Sequence, residues 1–381
     1  MRAAFSLRRL TPMEGHWFFG YYDHSDISPD GRHLLAHRTG FHDRSPRPGD
    51  VADIMILDLR AESFRQAART LAWNFQQGSM LQWLPDTSGR FIYNQWRDGV
   101  YGAVVQSPDG REQLLPRPVA ALSPDGGYAL STSFTRMRDF RPVCGYPFGE
   151  DPFRNQACPE DDGIFLMDMR TGESSLALSY PQMRALAGEP EAGGRAKLCV
   201  NHLSFNTRGS RFVCLVRNFP APGSGWKSAL ITANIDGSEP YLLLGWSYAS
   251  HYHWKDERVL ALYGTLPGEN TPQLYELTDR TQKARAIDEA FFTFDGHVSY
   301  SADRKTLLYD SYPTRSDPHR KLIFYDLAAG KGELAGRFYS DPMIDGDIRC
   351  DLHPRWSPDG CAVTFDSIHE GFRGIYSMNA R

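Results

Sequence analysis

The sequence predicts an all-β protein, a seven-bladed β-propeller. Three observations carry that expectation. A strand–turn–strand pattern recurs seven times, each copy is followed by one further strand with its own turn, and helical periodicity is scarce. The 381 residues include 34 glycines and 25 prolines, and aromatic residues make up 13%. That is a turn-rich, strand-favouring composition.

The seven copies run over Ser28–His37, Leu81–Asn94, Ala121–Phe134, His202–Val216, His251–Gly264, His297–Pro313 and His353–Ser367. Several turn on Ser-Pro-Asp-Gly or a near variant, where Gly or Asp accepts the positive φ of a tight hairpin. The strands that follow them are expected at Ile54–Leu59, Tyr101–Val105, Ile164–Met169, Ala229–Ile235, Gln273–Leu277, Lys321–Leu327 and Gly374–Met378. At about 54 residues per unit, each unit has the length of a four-stranded blade with generous loops. The last copy is followed by a single strand, and Ala3–Leu10 is a spare one. Pairing the two would complete blade seven and cover its edge. One domain over residues 1–381 is expected, with two stacked β-sandwiches as the alternative. Glu62–Thr70 and Tyr180–Ala187 read as short turns of helix. Thr135 to Asp162 and Ser179 to Lys197 read as loops over one face.

Charge and apolar patterning exclude several functions. Forty-two basic against 46 acidic residues give a net charge of −4 and no basic block, so nothing favours nucleic acid. No apolar run approaches the ~20 residues of a membrane helix. Met1–Leu10 lacks the apolar stretch of a signal peptide, which predicts a cytoplasmic protein unless a leader was removed. Six cysteines in a chain of this length do not suggest a disulfide scaffold, although Cys144 and Cys158 could pair in an oxidising compartment. Nucleotide-binding, hydrolase-elbow and zinc-protease signatures are absent.

Propellers bind ligands where the inner strands begin, and polar residues gather there. Blades five to seven each place a histidine at the same position: His251, His297 and His353, with Cys350 and Asp351 just before the last. Three imidazoles with a thiolate or carboxylate suit a divalent metal, zinc first, with manganese or calcium as alternatives. Strand alternation lets only one of Cys350 and Asp351 point inward. The alternative is that each histidine simply bonds to backbone. A second set comprises Asn74 and Asn94 in blade two, with Asn201, His202 and Arg217 in blade four. Arg217 should return near Asn201 across its hairpin, and an arginine among amides suits a carboxylate ligand. The basic insert Arg136–Arg141 could serve an acidic ligand or be a solvated loop.

Two runs, Asp295–Ser301 with Leu308–Pro313 and Arg349–Ser357 with Asp366-Ser367 and His369-Glu370-Gly371, resemble seven-bladed propeller polysaccharide lyases, the oligogalacturonate and ulvan lyases. Phe18–Asp23 and Gln76–Trp83 resemble motifs of the broader group. The resemblance implies β-elimination on a uronate-containing poly- or oligosaccharide, with a metal near the last blades. It binds substrate in oligogalacturonate lyases and is a structural zinc in ulvan lyases. Cys350 and His353 resemble the ulvan-type set. Where ulvan lyases carry two histidines and a tyrosine, this chain has Asn74, Asn94 and Asn201. At that departure the expected substitutes are His202 or Arg217 as base, with Asn74 and Asn94 holding the carboxylate. Two other readings remain: a non-catalytic TolB-like propeller that binds glycan or protein, and a hydrolase using paired carboxylates such as Asp23 and Asp26, or Asp295 and Asp351.

Overall fold

The serine of the repeat turn sets the hairpin. In Ser123-Pro124-Asp125-Gly126 the Ser123 hydroxyl donates to Asp125 at 2.6 Å and accepts the Tyr128 N–H at 2.9 Å. Ser357 and Ser301 repeat the arrangement with Asp359 and Asp303, and Ser28 likewise accepts the N–H of His33. The fourth turn residue has positive φ, +70° at Gly126 and +68° at Gly360. Glycine adopts it without a Cβ penalty. Arg304 takes the same place with φ +61°.

In the computed structural model, which describes residues 5–190, 195–220 and 225–380, these hairpins grow into seven four-stranded antiparallel sheets. The fold is a seven-bladed β-propeller. Blade one runs from the strand His16–Phe18 to Ser63–Thr70, blade two from Gln82–Trp83 to Glu112–Leu115, and blade three from Ala121–Leu122 to Ser174–Ser179. Blade four spans Leu198–Phe205 to Tyr241–Ser247, blade five Ala249–Trp254 to Ala284–Ala286, and blade six Val298–Tyr300 to Lys331–Tyr339. Blade seven holds Arg355–Trp356, Ala362–Ser367 and Gly374–Asn379, and its outer strand is Leu7–Arg9, with Arg8 opposite Ser377. The expected N-terminal pairing is therefore present; Ala3 and Ala4 of the expected strand lie outside the described residues.

The expected third strand of every blade falls within two residues of the observed one. Tyr180–Ala187 is a helix, capped by Ser179 and Gln182 in a reciprocal box. Glu62–Thr70 is not helical. Ser63–Thr70 is the outer strand of blade one, because its mostly exposed side chains leave pairing with Ala52–Asp58 as its main constraint. A second helix, Phe134–Phe140, arises within the long insert of blade three. No helix among the described residues is long and apolar enough to cross a membrane.

The chain forms two compact units. The first comprises Met1–Leu115, Tyr146–Phe148 and Gly296–Arg381; the second comprises Pro116–Gly145 and Gly149–Asp295. In the first, aliphatic and aromatic side chains fill the space between sheets, as Leu34, Ile54, Trp83, Phe91 and Tyr93 do between blades one and two. Leu308, Phe324, Val363, Phe365 and Tyr376 do so between blades six and seven. In the second, Val213, Leu215, Trp254, Leu260 and Leu262 form the corresponding layer of blades four and five.

A buried polar layer joins blades seven and one. The Arg355 guanidinium bridges Asp26 at 3.1 Å and Asp366 at 2.8 Å, and Asp366 accepts the Phe19 N–H at 3.1 Å. The runs Phe18–Asp23 and Gln76–Trp83 pack on one another. A Cβ on Gly20 would lie 2.8 Å from the Gln77 carbonyl, and one on Gly78 2.4 Å from the His37 ring.

Candidate metal centre

The first unit gathers three metal-competent side chains at the inner ends of blades six and seven. His297, Asp351 and His353 are buried, and one ligand atom from each lies within 4.8 Å of the other two. His297 directly precedes the inner strand of blade six. The hairpin pairs Val298 with Tyr309, which brings Asp310 back opposite His297. Both Asp310 carboxylate oxygens lie 3.0 Å from His297 Nδ1, and Oδ1 also accepts the His297 N–H at 2.7 Å. A proton on Nδ1 fixes the tautomer and leaves Nε2 as the basic nitrogen. Gly296 permits this approach, since a Cβ there would sit 2.0 Å from the Asp310 carbonyl oxygen.

His353 precedes the inner strand of blade seven with φ +43°. That conformation is uncommon away from glycine, and here it is held by neighbours. Arg355 Nη1 donates to the His353 carbonyl at 2.8 Å, and Asp366 N–H donates to Leu352 O at 2.8 Å. The His353 ring stands nearly perpendicular to that of His297, with centroids 4.3 Å apart. Its Nε2 is buried, lies 3.8 Å from Asp351 Oδ2 and makes no hydrogen bond among the described residues. Tyr21 and Tyr22 from blade one pack against the pair: Tyr21 is 5.2 Å from His353 and Tyr22 5.0 Å from His297, centroid to centroid.

Asp351 is the ionised centre of the group. Arg320 Nη1 lies 2.7 Å from Oδ1, and Arg349 Nε donates to Oδ2 at 2.8 Å. Burial pushes this carboxyl up, but the Arg320 and Arg349 guanidiniums outweigh it and hold it well below the usual carboxylate range. Burial and the neighbouring His297 push His353 down, so it stays neutral. Two imidazoles and one carboxylate are a donor set for a divalent first-row cation, and the buried Nε2 of His353 fits that use.

Two expected ligands are engaged in other contacts. The Cys350 thiol packs with Ile344 and Ile368, and burial pushes it up to about 11. Alternation along the chain sends Asp351 inward in its place. His251 belongs to the second unit, where its Nδ1 lies 3.2 Å from Asp295 Oδ1 and 3.0 Å from the Ser250 hydroxyl. Ser250 and Tyr248 also donate to Asp295 Oδ2, at 2.7 and 2.8 Å. Burial pushes Asp295 up, and His251 with these hydroxyls more than reverses that, so the carboxylate stays ionised.

The second expected set is divided between the units. In the first, Asn74 Oδ1 accepts the N–H groups of Gln76 and Gln77 at 3.0 and 2.7 Å, and Asn94 donates to the buried Tyr146 hydroxyl at 2.9 Å. Both amides brace loops. In the second, Arg217 pairs with Cys199 and Asn201 with Leu215, so Arg217 and Asn201 share a face one diagonal step apart. His202 occupies the bulge between Asn201 and Leu203 with φ +48°. Its ring stacks on Tyr252 at 4.1 Å and 8°.

Asp310 and Arg320 have roles that the repeat alone did not assign. The register of the blade-six hairpin points to Asp310. Nothing in the sequence marks Arg320, which occupies an ordinary outer-side strand position.

No family model matches the sequence, and no curated protein matches it. Its fold is similar to that of an oligogalacturonate lyase in complex with manganese, with a TM-score of 0.71 and 16% identity over 98% of this chain and 93% of that one. An oligogalacturonate lyase from Vibrio parahaemolyticus gives a TM-score of 0.69 and 14% identity, covering 100% of this chain and 98% of that one. The β-propeller domain of the Trilobed protease from Pyrococcus furiosus gives 0.54 and 10%, covering 92% and 93%. What this chain shares with all three is the β-propeller fold.

Proposed function

We propose that the protein is a metal-assisted lyase that cleaves a uronate-containing oligo- or polysaccharide by β-elimination. The observation that carries this reading is the convergence of His297, Asp351 and His353, with Asp310 orienting the first and Arg320 and Arg349 holding the second. The lyase-like fold, and the manganese carried by one oligogalacturonate lyase, support it.

The reaction removes the proton at C5, beside the uronate carboxylate. The C5–H electrons become the C4–C5 double bond, the C4–O bond breaks, and the leaving oxygen takes a proton. The developing charge lies next to an existing carboxylate, so that carboxylate must be neutralised. A divalent cation held by His297, Asp351 and His353 would supply that neutralisation. Zinc or manganese suits two imidazoles and a carboxylate; calcium prefers all-oxygen ligands.

Within the second unit, His251 is better arranged to act as a base than His202 or Arg217. With Nδ1–H donated to Asp295, Nε2 of His251 is the basic nitrogen, and Asp295 stabilises the imidazolium once it forms. A guanidinium such as that of Arg217 is a poor base and is suited to pair with a carboxylate. The His202 ring is committed to its stack on Tyr252.

The test is a panel of uronate glycans, oligogalacturonate first, followed by the ultraviolet absorbance of the unsaturated product. His251→Asn should lower the rate by about 10²–10⁴-fold. Absence of product from every glycan with metal-loaded protein would leave the non-catalytic propeller as the better reading.

A further inference from the structure

The insert of blade three carries an aromatic and basic surface that the metal centre does not use. Its helix Phe134–Phe140 is pinned from below. Arg136 is fully buried, pairs with Asp151 at 2.9 Å and donates to the carbonyls of Leu198, Phe153, Gln156 and Ala157. Gly145 passes so close to Arg138 that a Cβ there would lie 2.4 Å from its backbone. The helix end is therefore a fixed platform.

On that platform Phe140 meets Phe219 edge-on at 5.2 Å and Trp226 at 5.8 Å. Trp226 is 45% exposed, unusual for the largest apolar side chain. Cations flank the rings: Arg141 lies 5.5 Å from the Trp226 centroid, and Lys197 Nζ 4.5 Å from that of Phe219. Lys197 is shared with Asp139 at 3.5 Å and Asp151 at 3.4 Å. Arg138 and Arg141 make no ion pair among the described residues.

We propose that Trp226, Phe140 and Arg141 form a binding subsite for a uronate unit of an acidic oligosaccharide. A pyranose ring offers an apolar C–H face that suits an exposed indole. Its carboxylate suits a guanidinium with no acidic partner, positioned beside that indole. A neutral glycan would leave Arg141 unanswered. The choice of uronate rests on the lyase reading; the surface itself belongs wholly to the second unit.

The experiment uses the full, metal-loaded chain in a His251→Asn background to slow turnover. It is titrated calorimetrically with trigalacturonate, hexagalacturonate and, as neutral control, cellohexaose. Adding Trp226→Ala or Arg141→Ala should weaken hexagalacturonate binding about tenfold. Arg141→Lys should restore part of it, and added salt should weaken the parent more than Arg141→Ala. Thermal unfolding verifies that each variant is folded, and Trp226→Phe and Arg141→Gln stand in for any that is not. Binding unchanged by these substitutions, or no preference for hexagalacturonate over cellohexaose, overturns the subsite. Binding that depends on Trp226 and Arg141, with hexagalacturonate left intact by the metal-loaded wild-type protein, keeps the subsite and overturns the lyase reading.

Discussion

Asp310 grips His297 twice, through the ring Nδ1 at 3.0 Å and the backbone N–H at 2.7 Å. One carboxylate thereby fixes both where the histidine sits and which nitrogen is basic. Asp310→Asn removes the charge and weakens the tautomer preference, so affinity for zinc or manganese should fall about 10–100-fold. Calorimetric metal titration of wild type and variant reads this directly. Unchanged affinity would mean that His297 is not a ligand.

Stability should fall on mild acidification because of His37. Its Nε2 accepts the Ser79 N–H at 3.1 Å beneath Phe18, and burial pushes it down to about 4. Between its unfolded value near 6.5 and that folded value, the unfolded chain binds the extra proton. Stability is therefore full above about pH 6.5 and declines toward pH 4, by up to ~3 kcal/mol from this group. Denaturant unfolding across that range should show the loss, and His37→Gln should remove the part of it that His37 contributes, leaving that of other buried histidines such as His42.

Arg136→Met should destabilise the protein by about 3–5 kcal/mol, since it leaves the buried Asp151 carboxylate to the longer contact with Lys197 and strips several carbonyls of their donor. The paired change Arg136→Met with Asp151→Asn should recover part of the loss. Chemical denaturation of the two variants distinguishes a buried network from a surface pair, which would cost under about 1 kcal/mol.

Gly78→Ala should cost about 2–4 kcal/mol. The residue has φ +58°, and its Cβ would meet the His37 ring at 2.4 Å and the Phe19 carbonyl oxygen at 2.7 Å. Thermal unfolding measures it, with Gly31→Ala as comparison: the same positive φ but open space around it. The excess loss at Gly78 reports the packing of the blade-one and blade-two motifs.

The blades were legible because a propeller repeats its turn chemistry. Ser123, Ser301 and Ser357 use one hydrogen-bond pattern, and each turn fixes the strands on either side. His297 and His353 stood out as candidate neighbours because they hold equivalent positions on adjacent blades. The choice of Asp351 over Cys350 needed the local chain direction, which two adjacent residues do not encode. His251 shared the repeat position of the other two histidines, yet its partner is Asp295, 44 residues on, a long-range pairing that no local pattern records. Asn74 and Asn94 looked like ligand groups because they flank the first hairpin of blade two, where ulvan lyases carry histidines. Their partners, the backbone of Gln76 and Gln77 and the Tyr146 hydroxyl, explain them structurally.

Metal content per chain, after incubation with zinc or manganese and removal of excess, tests the centre most directly. The account predicts about one ion per wild-type chain, and a content near zero when His297 and His353 are both replaced by alanine. A wild-type content well below one, or equal content in the double variant, would contradict it.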